Sequence, residues 1–379
     1  MVSRRPRVQI PLEAIHSHAA IVFKDSLFIL LIYMGLQKKN KNPDMERATS
    51  EDPFEYGEIR TDYRTGFRSI FALSRKDRPI DYLAKEVIED KGKERCPFEP
   101  EKYGLNETFF EIGDPWRVRV IYNKYPLFEH RARNLHDNED IFERSTNYGF
   151  SFVIIDSREH NRRFEQFSED EIGELAKALA ETERRTFLNE GISFVYLNKN
   201  FGRKSSGTLS HSHWQTLGFA GIPGIVGMRL RKVKEFKNTN GSCLMEHAYG
   251  KEKERTIFED SDIVAFAPFA QLYTGETVVM PKRHASMLSE LSDVEMDKLL
   301  SVCKSIVVAN NAYFGTHAYN ILGYSLRDEK DFHFYMEIVP RVSDIGPTQM
   351  AGYFGSSIMP EDYSKSIMKM IRGQMTASE

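Results

Sequence analysis

His211, His213 and Gln215 stand at alternate positions in the stretch LSHSHWQTLG, and this trio is the part of the chain best equipped for chemistry. A neutral imidazole is a competent nucleophile near pH 7, provided its second ring nitrogen donates to an acceptor that fixes the tautomer. A nearby glutamine amide stabilises developing charge without itself titrating. In extended backbone alternate side chains share a face, so these three point together while Ser212 and Trp214 point away. The same pattern equally describes a solvated strand face with Trp214 in the core. The preceding NKNFGRKSSGTLS supplies Gly202 and Gly207 with the hydroxyls of Ser206 and Thr208 and with Lys204, a composition suited to a tight loop whose backbone N–H groups approach phosphate.

The elements around this stretch occur twice. After His160, Ser168 and Glu171 form a capping box, and Ile172, Leu175, Ala176 and Leu179 fall on one helical face that Gly191 is placed to stop. The strand ISFVYLN and the glycine loop then lead into the histidines. After His284, Ser292 and Glu295 repeat the box, Met296, Leu299 and Leu300 start the apolar face, and Gly315 lies at its end. Strand-like HAYNILGY and FHFYMEIVPR follow, with His333, Tyr335 and Glu337 where His211, His213 and Gln215 stood. A strand precedes each leading histidine, YGFSFVII before His160 and GETVVMP before His284. Two copies of one strand-helix-strand-strand unit predict an α+β fold, with antiparallel sheets and helices related by a pseudo-twofold internal repeat. The second copy has lost the second histidine.

With 379 residues the chain is long enough for two packed domains, and its formal net charge of −3 argues against a polyanion-binding surface. No nucleic-acid partner is expected. Three widely spread cysteines make no disulfide framework, which fits a reducing cytoplasm. The apolar run SLFILLIYMGL is shorter than the roughly 20 residues that cross a bilayer, so no membrane partner is expected. It lies in residues 1–45, read as an N-terminal extension of unknown role or as an overrun ahead of Met34 or Met45. The expected division is 46–230 for the first domain and 231–379 for the second.

The stretch NKNFGRKSSGTLSHSHWQ resembles the active-site segment of the galactose-1-phosphate uridylyltransferase-like family, which includes ADP-glucose phosphorylase, in the histidine-triad (HIT) superfamily. The resemblance runs from about Gly57 to the end, through GEIRTDYRTGFRSIFALSRKDRP, CPFEP, WRVRVIYNKYP, DSREH, VVMPKRH and FHFYMEIVPR. It implies two HIT-like domains and covalent nucleotidyl transfer, with His213 attacking the α-phosphorus of a nucleoside-diphosphate sugar and a sugar 1-phosphate or phosphate as acceptor. It further implies that Gln215 donates to a phosphoryl oxygen and that Asn200 to Thr208 hold phosphates and ribose. Arg75 and Arg78 would bind phosphate, for which a basic solvated turn is the alternative. A homodimer is implied as well.

In that family a structural zinc is held by a CxxC pair, a later histidine and the first histidine of HxHxQ, positions that read Cys96, Glu99, His160 and His211 here. Zinc accepts carboxylate oxygen, so this tetrahedron is chemically allowed, although the harder ligand also admits other divalent ions. The alternative is a dead site in which Glu99 pairs with Arg95 or Lys102. A second metal is not expected, because Tyr335 and Glu337 occupy positions where relatives place ligands, and His284 and His333 read as hydrogen-bonding core residues. Phe354, standing where uridylyltransferases use a glutamate on hexose hydroxyls, puts galactose selection in question. Trp214 replaces a small residue and would alter the pocket wall if it turned inward. ADP-sugar or dinucleoside polyphosphate phosphorolysis, and a catalytically silent nucleotide-binding protein, are the other functional readings.

Overall fold

Residues 54, 57–72 and 92–378 are described by the structure, a computed structural model. Arg75, Arg78 and the 1–45 extension lie outside the described residues. A unit spanning Tyr56–Glu379 contains all the elements discussed below.

The strands are β1 (Glu58–Thr61), β2 (Arg68–Phe71), β3 (Thr108–Ile112), β4 (Val118–Tyr122), β5 (His136–Glu139), β6 (Phe142–Ser145), β7 (Gly149–Ile155) and β8 (Phe194–Phe201). They continue with β9 (His213–Phe219), β10 (Thr256–Glu259), β11 (Ile263–Phe266), β12 (Thr277–Pro281), β13 (Tyr319–Leu326), β14 (Met336–Pro340) and β15 (Tyr353–Ser356). Helices are α1 (Glu169–Phe187), α2 (Gly224–Asn240), α3 (Leu244–Lys251), α4 (Asp293–Phe314), α5 (Pro347–Met350) and α6 (Pro360–Ser378).

Ten strands form one sheet in the order β10-β11-β12-β14-β13-β8-β9-β7-β4-β3. Every pair in it is antiparallel, whereas β15 lies parallel to β2 in a separate three-stranded sheet. From the central β8–β13 pair the order reads alike in both directions, each crossover carrying one of the capped helices α1 and α4. Register gives the matching positions: Trp214 pairs with Lys199 and Ile154, and Met336 pairs with Gly323 and Val279.

Both helices begin where their capping boxes predict, with Ser168 and Ser292 accepting from the N–H of Glu171 and Glu295. Helix α4 ends on Gly315 at φ 79. Helix α1 stops at Phe187, earlier than Gly191, because the Asn189 amide turns back to the carbonyls of Arg185 and Thr186. The two helices pack together on one sheet face, burying Ile172, Leu175, Leu179, Leu299 and Leu300 against Val195, Leu197 and Trp214. Alternation along β8 sends Phe194 and Tyr196 to the opposite face, where they join a second cluster with α2 and α3. That face also carries a smaller cluster of Cys96, Phe98, Trp116, Val153 and Ile155.

Candidate active site

His213 opens β9 and is almost wholly buried. Its Nδ1 lies 2.8 Å from the backbone carbonyl of His211. A carbonyl only accepts, so Nδ1 carries the proton and Nε2 keeps its lone pair. Burial pulls the imidazole down to about 4, which keeps it neutral at pH 7. Phe98 meets it edge to face at 5.2 Å between centroids. Gln215 follows on the same strand face, half-buried, between Val153 of β7 and Asn198 of β8. Trp214 turns to the other face, fully buried against Phe164, so the pocket wall is free of its bulk.

His211 differs from the strand reading: it precedes β9, and the pleat does not aim it. Its Nε2 instead donates to the Ser157 carbonyl at 2.8 Å, leaving Nδ1 as a lone-pair nitrogen. That Nδ1 lies 3.2 Å from Glu99 Oε1 and 3.5 Å from Cys96 Sγ, and His160 Nδ1 lies 2.5 Å from the same carboxylate oxygen. Cys96, Glu99, His160 and His211 are all buried, and each offers one ligand atom within 4.8 Å of the others. Burial alone would raise the Glu99 carboxyl, but the adjoining His160 and His211 rings hold it below its ordinary value. Burial pushes the Cys96 thiol up to about 11. Glu99 therefore faces the histidines rather than Arg95 or Lys102. Lys102 caps the carbonyls of Lys93 and Glu94 instead. Thiolate, carboxylate and two oriented imidazoles in one pocket fit a tetrahedral divalent metal such as zinc.

The other half holds a second cluster that the sequence reading did not mark. Cys243, Glu246, His284 and His333 also offer ligand atoms within 4.8 Å of one another. His333 Nδ1 lies 3.6 Å from Cys243 Sγ, and His284 Nδ1 lies 3.2 Å from Glu246 Oε1. Both rings donate from Nε2 to carbonyls, His333 to Pro281 at 2.9 Å and His284 to Lys330 at 2.8 Å, so both Nδ1 lone pairs face the cluster. The signal was available as a second Cys-x-x-Glu, Cys243 to Glu246, echoing Cys96 to Glu99. Tyr335 and Glu337, by contrast, join a buried ionic network: Arg229 donates to Tyr335 Oη at 2.6 Å and to Glu337 Oε1 at 2.9 Å, and Arg64 meets Glu337 at 2.7 Å.

The glycine loop is tight. Gly202 has φ 82, Ser206 adopts the left-handed conformation at φ 68, and a Cβ on Gly207 would meet the Gly202 carbonyl at 2.8 Å. Thr208 is exposed beside it, while the Asn200 side chain is tied to Asn198 and Asn320. A polar cavity of about 240 Å³ lies beside β4 and β7, lined by Asn106, Tyr122, Asn123, Glu129 and Ser151, which sequence patterning did not mark. Phe354 packs between Phe67 and Tyr273, at 5.7 and 5.5 Å between centroids. Among the described residues no helix is long and apolar enough to cross a membrane.

No family model matches the chain. It is 28% identical over 330 residues to ADP-glucose phosphorylase from Arabidopsis thaliana, covering 81% of this chain and 91% of that protein. Galactose-1-phosphate uridylyltransferase from Thermotoga maritima is 21% identical over 268 residues, 68% of this chain and 84% of the relative. An uncharacterized HIT-like protein from Borreliella burgdorferi is 32% identical over 95 residues, 24% of this chain and 68% of the relative. The crystal structure of the Arabidopsis thaliana ADP-glucose phosphorylase with bound ADP-glucose superposes with a TM-score of 0.71 at 24% identity, covering 83% of this chain and 99% of the other, and shares its fold. The chain belongs to the HIT superfamily, in its galactose-1-phosphate uridylyltransferase-like branch.

Proposed function

We propose that this protein is a sugar-nucleotide nucleotidyltransferase or phosphorylase working by double displacement through His213. The Nε2 lone pair attacks the α-phosphorus of a nucleoside-diphosphate sugar. An N–P bond forms as the bridging P–O bond breaks, and sugar 1-phosphate leaves. An oxygen of phosphate or of another sugar 1-phosphate then attacks the same phosphorus, and the imidazole departs with its electron pair. The observation that carries this reading is the 2.8 Å hydrogen bond from His213 Nδ1 to the His211 carbonyl. It aims the other nitrogen outward and supports the positive charge the ring acquires.

Gln215 donates to a non-bridging oxygen, and the loop carrying Asn200, Gly202, Ser206, Gly207 and Thr208 holds the phosphates, with Arg75 and Arg78 as further cations. The cavity at Asn123 and Ser151, beside β4 and β7, receives the nucleoside. Cys96, Glu99, His160 and His211 would hold a divalent metal, zinc by donor type, which supplies structural anchorage for the backbone that positions His213. Cys243, Glu246, His284 and His333 form the second such seat. The symmetric strand order supports reading 46–230 and 231–379 as two copies of one HIT-like domain. A homodimer in the cytoplasm completes the proposal, on family resemblance.

Two features favour an ADP-sugar donor with phosphate as acceptor over galactose 1-phosphate. One is the 28% identity to an ADP-glucose phosphorylase across most of both chains. The other is Phe354, whose ring offers no acceptor for hexose hydroxyls. Incubation with radiolabelled UDP-glucose, ADP-glucose and diadenosine tetraphosphate tests the scheme. The expected result is acid-labile label on the protein that vanishes in His213→Ala; no label from any donor would leave a silent nucleotide-binding protein.

A further inference from the structure

We infer that Lys199, with Asp156, is the positioning residue of the nucleophile, a role that rests on the proposed chemistry of His213. Lys199 is buried on the helix side of β8, its ammonium over the rings of Phe164 and Trp214 at 5.8 and 5.7 Å. Its three N–H bonds are spent on one place. Nζ lies 2.7 Å from Asp156 Oδ2, 2.8 Å from Ser212 Oγ and 3.4 Å from the His213 carbonyl, and Ser212 Oγ itself donates to Asp156 Oδ2 at 3.1 Å. The Lys199 ammonium therefore grips the His-Ser-His backbone from behind the sheet. Next to Asp156, the Ser157 carbonyl holds His211 Nε2 at 2.8 Å. The end of β7 thus secures both histidines.

The internal symmetry supplies a control within the molecule. The position matching Lys199 in β13 is Gly323, and the one matching Asp156 at the end of β12 is Pro281. That half keeps all four metal-competent residues, Cys243, Glu246, His284 and His333, but has Tyr335 in place of the second histidine. The fold and the metal cluster therefore form without a lysine and aspartate at these places. The pair accompanies only the nucleophile. Nor is it arranged for stability alone, since Asp156 Oδ1 is buried without a hydrogen-bond partner.

The decisive variant is Lys199→Met with Asp156→Leu, which removes both charges and leaves neither stranded. Ser212→Ala is the milder companion, deleting one acceptor of the ammonium. Both are compared with wild type in metal content, melting temperature, rate of labelling by radiolabelled UDP-glucose and ADP-glucose, donor KM, and the 15N spectrum of the His213 imidazole. The expected result is a folded double variant with wild-type metal content and donor KM, labelled about a hundredfold more slowly, whose His213 spectrum is a tautomer mixture. Wild-type labelling rates in the double variant overturn the proposal. If wild type takes no label from either donor, the nucleotidyl-histidine reading fails separately, and a single Nδ1-protonated tautomer in the double variant then overturns the positioning role without any substrate. Should the double variant not fold, Ser212→Ala decides by the same readouts, and wild-type behaviour there overturns the role.

Discussion

The side-chain amide of Asn320 lies 2.6 Å from Oδ1 of Asn200. The same amide reaches the Ser205 carbonyl at 3.1 Å, so the second half of the sheet braces the glycine loop beside His213. Asn320→Ala is expected to raise donor KM several-fold while costing about 1 kcal/mol of stability. Steady-state kinetics with hydrogen exchange over 202–208 checks this; unchanged KM and exchange would mean that the loop holds itself.

His211→Ala is expected to release metal and lower the melting temperature, whereas His213→Ala folds like wild type. Equal melting temperatures for the two would contradict the metal assignment. Elemental analysis should find about two divalent ions per chain and about one in His333→Ala, with nucleotidyl label retained. Because burial holds the Cys96 thiol up at about 11, metal must displace a proton there, and metal retention should fall as the pH is lowered.

Glu295 is held down to about 2 by Arg283 and by the capping hydrogen bonds from Ser292, against an ordinary value of 4.5. A depressed carboxyl contributes stability that is fully present above its unfolded pKa and is lost as pH falls through the folded one. Wild type should therefore melt above Glu295→Gln at pH 6, by the few degrees that a cap worth about 1 kcal/mol implies. The gap should close between pH 4.5 and about 2. A gap that persists at pH 2 would place the effect outside this carboxylate.

Trp214→Ala should cost about 3–5 kcal/mol by opening a cavity against Phe164 and the helix-side core. Donor preference among UDP-glucose and ADP-glucose should not change, because the indole faces away from Gln215. A reversed preference in the folded variant would put the ring, or its loss, in the pocket.

Much of the site is legible because its signals are local. Ser168 with Glu171 and Ser292 with Glu295 announce helix starts within a single turn, and His213 with Gln215 announces one strand face by alternation alone. His211 reads as a strand residue by alternation but is not one, since the partner that orients it, Ser157, lies just beyond the end of β7. The second metal-competent cluster was missed for a similar reason. Cys243 and Glu246 sit at the start of α3, and only the assembled sheet brings His284 and His333 to them.

The sequence by itself determined the duplicated units, the helix caps, the loss of the second histidine in one copy and the chemistry available to the other. Only the tertiary structure decided which face Trp214 takes, that Glu99 meets His160 and His211, and that Lys199 and Asp156 close behind His213. The physical reason is range. Capping and alternation act between neighbours along the chain, whereas ligand atoms and buried ion pairs converge from strands whose register is set by packing of the whole sheet.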